Sequence, residues 1–164
     1  VLAGMAMAVL AGCDRADEAA MRARLEAWFS IAETRYFAAR PGCAAGLFGL
    51  VDDSVKAAMP VAGTVPGMLR TIERRGRAAL DDRRQPPDAA LVALANADRA
   101  TGYALRRVGL QGRDCMDADT MAAFGAALRS KAAILAYDAE TGMMILVDRD
   151  AGRVLATMGR ATWW

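Results

Sequence analysis

The sequence predicts an α+β fold in which about four helices pack on a small antiparallel sheet. Three observations carry this expectation. Apolar residues recur at helical spacing through the first two thirds of the chain, Pro- and Gly-marked breaks separate those stretches, and the last third changes to short strand-like runs divided by Asp…Gly turns.

Residues 16–39 read as one long helix. Met21, Leu25, Trp28, Phe29, Ala32 and Tyr36 fall on one face, and Arg22 and Glu26 stand four apart on the other. Arg40-Pro41-Gly42 stops it, and the apolar run from Cys43 to Val51 is expected as a strand. After the breaks at Pro60, Gly63, Pro66 and Gly67, residues 67–81 form a second predicted helix on Met68, Leu69, Ile72 and Leu80. Gln85-Pro86-Pro87-Asp88 interrupts the chain, with Asp88 able to cap a third helix that runs to about Val108, where Gly109 and Gly112 end it. Asp117 or Asp119 caps a short fourth helix holding Met121, Phe124 and Leu128.

Ala133–Tyr137, Met143–Val147 and Arg153–Met158 then form a three-stranded meander at the C-terminal end of the sheet. The connections end in Gly142 and Gly152, where a hairpin turn favours positive φ.

The chain opens with the uncharged run VLAGMAMAVLAG, followed by Cys13 and the first charges, Asp14 and Arg15. Twelve apolar residues are too few to span a bilayer, which needs about 20, and match the apolar core of a signal peptide. Leu10-Ala11-Gly12-Cys13 resembles the lipobox of bacterial lipoprotein precursors. The resemblance covers only those residues. It implies that residues 1–12 are removed as a signal segment, that Cys13 carries the lipid, and that 13–164 form a single globular domain. Val1 is neither an initiator Met nor part of a basic stretch, so further sequence upstream is expected. Two other readings of the run stay open: the end of a longer membrane helix, or a buried helix of the domain. By analogy with enteric bacteria, Asp14 directly after the lipidated cysteine favours the periplasmic face of the inner membrane over the outer membrane.

Composition excludes several function classes. Histidine is absent, which removes Ser-His-Asp and Cys-His nucleophile systems and the common zinc sites. A net charge of +2 makes no electrostatic case for nucleic acid. In an oxidising envelope compartment Cys43 and Cys115 are expected to pair; two separate buried thiols are the alternative. The methionines after residue 12 fall at core positions without a Met-x-Met pattern, so copper binding is not expected and no cofactor is assigned.

A few residues remain as site candidates. Asp98 shares the stripe of Leu91, Leu94, Thr101, Leu105 and Val108, where a carboxylate must find a partner or raise its pKa. Glu33 lies one turn beyond Phe29. Paired carboxylates run acid–base chemistry without histidine, so Asp98 and Glu33 are the speculative acids of an envelope glycan hydrolase. Against that stands the structural role of a satisfied Asp. Arg70, Arg74 and Arg77 align as a basic face able to touch anionic headgroups or to form internal ion pairs. Asp148 to Gly152 lacks the third acid and the glycine of a calcium loop, and Asp114, Asp117 and Asp119 fit helix capping, so no metal site is assigned. Trp163-Trp164 could pack the meander, sit at a bilayer interface or dock into a partner.

The expectation is a non-catalytic envelope lipoprotein, anchored in a membrane, that binds or supports another envelope component, with a protein partner in the envelope expected. A carboxylate-dependent hydrolase and a small-ligand carrier are the alternatives.

Overall fold

A computed structural model describes residues 17–160. Cys13, Asp14 and the Trp163-Trp164 pair lie outside the described residues, as do the expectations placed on them.

Helix α1 (Glu18–Trp28) begins where the Asp17 carboxylate accepts a hydrogen bond from the Ala20 amide at 2.6 Å. Met21, Leu25 and Trp28 form its buried face, and the Arg22–Glu26 pair closes at 2.9 Å on the wet side. The helix does not continue to residue 39. At Phe29 the backbone turns extended and strand β1 (Phe29–Arg40) runs antiparallel to β2 (Cys43–Val55). Ala, Glu and Arg made residues 30–40 look helical, but pairing along β2 satisfies the same backbone groups, and tertiary context overrides a weak propensity.

After β3 (Val61–Ala62), helix α2 (Val65–Arg75) ends at Gly76, whose φ of +72° is the left-handed cap that follows Arg74 and Arg75. The chain then enters β4 (Arg77–Leu80), so the helix expected over 67–81 is shorter by its last turn. The third expected helix is two. α3 (Pro87–Ala97) starts on Pro86 rather than on an Asp88 cap, and α4 (Arg99–Arg113) runs past Gly109 and Gly112. Gly112 does not end α4 because its bare face lies against Thr157 of the sheet. α5 (Ala118–Arg129) is capped by Asp117, which accepts from the Thr120 amide at 2.8 Å. Strands β5 (Ile134–Asp138), β6 (Met143–Asp148) and β7 (Arg153–Gly159) form the expected meander, with φ of +63° at Gly142 and +59° at Gly152.

All seven strands share one sheet in the order β1-β2-β7-β6-β5-β4-β3, antiparallel except for the short β3–β4 pair. The protein is α+β, with five helices among the described residues and a mixed sheet larger than a small antiparallel one. Helices α2 to α5 cover one face, against Leu80, Leu135, Tyr137, Met144, Leu146 and Leu155. On the other face α1 packs on Ala136, Ile145, Val154 and Ala156, joined by Phe29, Phe48 and Met59. Register shifts along β1 are the device that bends such a hairpin, and they bring Phe29 and Ile31 into this second core. Every residue of β6 is buried, as a strand covered on both faces requires. Each large side chain buried this way contributes about 1.5–3 kcal/mol relative to exposure.

Cys43 and Cys115 are disulfide-bonded, tying the first residue of β2 to the turn after α4 across 72 positions of sequence.

Candidate functional site

The carboxylates singled out in the sequence do not converge on a buried site. Asp98 is not on a helical stripe. It is exposed, with φ −139° and ψ 107°, and caps α4 by accepting from the Thr101 amide at 2.8 Å. That hydrogen bond is the main reason its carboxyl lies below the ordinary carboxylate range. Glu33 is exposed on β1 rather than on a helix, and accepts from Arg35 Nε at 2.7 Å. The Arg35 hydrogen bond likewise lowers its pKa. A general acid needs the opposite shift, so each carboxyl as placed is suited to bonding a neighbour rather than to donating a proton.

The three arginines of the expected basic face separate. Arg70 and Arg74 stay on α2, where Arg74 Nε donates to the Arg70 carbonyl at 3.2 Å. Arg77 has left the helix for β4. It reaches the fully buried Asp138 at 3.3 Å and Glu140 at 3.1 Å, and lies 5.5 Å from the ring centroid of Trp28. Arg24 approaches the same Asp138 at 3.6 Å, and the Thr141 hydroxyl donates to it at 2.6 Å. This cluster fastens α1 to the β5–β6 turn. Arg74, Arg75 and Thr71 instead line an open depression of about 430 Å³ with Ala57 and Pro60.

Asp148, at the end of β6, and Arg149, in the turn after it, are also committed. Asp148 is buried against Arg153 at 2.9 Å, and Arg149 spans Asp81 at 2.5 Å and the Ala132 carbonyl at 2.7 Å. Among the described residues, no group of three His, Cys, Asp or Glu side chains could hold a metal ion, and no helix is long and apolar enough to cross a membrane.

Asp82 carries the largest carboxylate shift. Its nearly covered side chain accepts from Arg84 Nε at 2.7 Å, from the Arg84 amide and from Gln85, and the Arg84 guanidinium first of all pulls its pKa down to about 2. A carboxyl with a lower pKa folded than unfolded stabilises the fold above its unfolded value of about 4. That stability is lost as pH falls from there through about 2. Acid titration of folding stability should show this limb, and Asp82→Asn should flatten it; an unchanged limb in the variant would assign it to other carboxyls.

One concavity is apolar, and sequence reasoning missed it. It is a groove of about 320 Å³ between α4 and α5. α4 packs chiefly on α3 and β7, and α5 on α3 and β6, with little direct contact between α4 and α5. Arg106, Gly109, Leu110 and Arg113 supply one wall, and Met121, Phe124, Gly125 and Leu128 the other. Each set follows the i, i+3, i+4, i+7 spacing of a single helix face. That spacing is the available signal in the sequence, and a helix ending near Val108 cuts it short, whereas α4 continues to Arg113.

A scan against protein-family models, a search of curated proteins and a search of solved structures each return no match for this chain, and its function is therefore argued from its own residues.

Proposed function

We infer that this is a non-catalytic lipoprotein of a bacterial envelope, held to a membrane through Cys13, whose folded part binds or supports another envelope component. The observation that carries this reading is Leu10-Ala11-Gly12-Cys13 directly after an uncharged run. Two features support it. Cys13 stands only four positions before Asp17, the cap of α1, so the domain would be held close to the bilayer surface. The Cys43–Cys115 disulfide suits an oxidising compartment outside the cytoplasm. Asp14 favours the periplasmic face of the inner membrane.

Metabolic labelling with an alkyne fatty acid tests the anchor. The native chain should take up label, while Cys13→Ala should take up none. Equal labelling of both would overturn the lipidation of Cys13. Purification of the labelled protein in mild detergent should then bring down a protein partner in stoichiometric amount.

A further inference from the structure

We propose that the groove between α4 and α5 is a binding site for a single-chain anionic amphiphile, an acyl chain ending in a carboxylate. Its floor and walls are hydrocarbon and thioether: Leu105 and Met144 lie beneath, with Leu110, Met121, Phe124 and Leu128 at the sides. Leu110 is 61 % exposed although it borders this apolar surface. The polar side chains lining the groove are all arginines, Arg106, Arg113 and Arg129. None of the three pairs with a carboxylate among the described residues, whereas each buried acid, Asp82, Asp138 and Asp148, is engaged by another arginine. Arg113 and Arg129 sit in the last turns of their helices, where a cation offsets the helix dipole. Arg106 is mid-helix and has no such role.

That combination selects the ligand class. A sugar, peptide or nucleotide needs hydrogen-bond donors and acceptors of both kinds on the walls, and this groove offers donors alone, all cationic and all at its rim. An apolar body with an anionic head satisfies both parts. The volume stands at the small end of ligand sites, about 300–1,000 Å³, which fits one chain rather than a two-chain lipid.

The glycines add an independent observation. Gly109 and Gly125 face the groove from the two helices, and a mid-helix glycine is a poorer helix former than alanine. Packing does not demand either one. A Cβ on Gly125 would meet only the tip of Arg129 at 3.4 Å, and one on Gly109 the flexible sulfur of Met144 at 3.3 Å. What these residues do is keep the groove empty of side chains. The site lies on the helical side of the sheet, and α1 lies on the other, so it would serve whether or not Cys13 carries a lipid.

The test uses the full chain carrying Cys13→Ser, titrated by calorimetry with dodecanoate below its micellar range and with the uncharged ester monolaurin. Dodecanoate should bind saturably at one site. Gly125→Leu, which fills the groove and restores a good helix former, should keep or raise the melting temperature and weaken dodecanoate by at least about tenfold. Arg106→Gln combined with Arg113→Gln and Arg129→Gln should weaken dodecanoate by about tenfold or more while leaving monolaurin within about twofold. No saturable binding by the parent, undiminished binding by Gly125→Leu, or equal losses for both ligands in the arginine variant would each overturn the proposal. Failure here would leave the labelling of Cys13 untouched, so the two readings fail separately.

Discussion

Replacing both Cys43 and Cys115 with serine is expected to cost about 4 kcal/mol of folding stability. The bridge joins residues 72 apart with their Cα atoms 5.9 Å from each other. In the chain-entropy account, cross-linking a loop of that size removes about 4 kcal/mol of freedom from the unfolded state, less any strain in the folded one. At this chain length each kcal/mol shifts the melting temperature by about 2–4 °C, so a fall of about 8–16 °C is predicted. The double variant is the right comparison, because a single change leaves a free thiol. Cys115 is fully buried, and its carbonyl accepts from the Tyr36 hydroxyl at 2.9 Å, so the turn after α4 keeps one tie to β1 without the bridge. Denaturant melts of the double variant and of the parent in reductant should coincide. A loss under about 1 kcal/mol would mean that the unfolded chain already holds the two ends together.

Gly102→Ala and Gly125→Ala should move stability in opposite directions, although both add one methyl to a helix interior. At Gly102 the added Cβ would run into the Ala95 backbone, its Cα and its amide nitrogen. Backbone cannot rotate aside as a side chain can, so α3 and α4 must separate. Overpacking typically costs about 1–3 kcal/mol, and the upper end is expected here because two helices must shift. The helix-propensity gain of about 1 kcal/mol does not recover it. At Gly125 the nearest atom is a mobile guanidinium tip, so the propensity gain should survive as about 1 kcal/mol of added stability. Parallel denaturant titrations read both. A neutral Gly102→Ala would show that the helix pair does not need so close an approach.

The legible parts of the fold were those where local chemistry and long-range packing agree. The meander is one: alternation is suppressed by burial on both faces, but Gly142 and Gly152 mark its turns, and both adopt the positive φ expected of them. The Asp117 cap and the pairing of Cys43 with Cys115 are others. Residues 29–40 were illegible because their composition suits a helix, and only the ladder to β2 makes them a strand. Asp98 shows a different failure. Its spacing from Leu94 and Leu105 fits one continuous helix, whereas Asp98 starts a new one by accepting from the Thr101 amide. Arg77 does not share a helix face with Arg70 and Arg74 because the helix expected over 67–81 stops at Gly76. The groove needed two helix faces to be brought side by side, and no property of either face alone announces that.

The placing of β7 governs the order in which the molecule can be put together. Strands β1 and β2 form one group and β3 to β6 another, and β7 alone bridges them, pairing Cys43 with Gly159 on one side and Met143 with Met158 on the other. A chain made or delivered from its N-terminus therefore carries two unfinished half-sheets until nearly all of it has emerged. Contacts so distant in sequence form late and slowly, and in the interval the apolar edges of β2 and β6 are open to wrong partners. Both cysteines precede β7, so the bridge can form first and hold the halves near each other while the closing strand arrives.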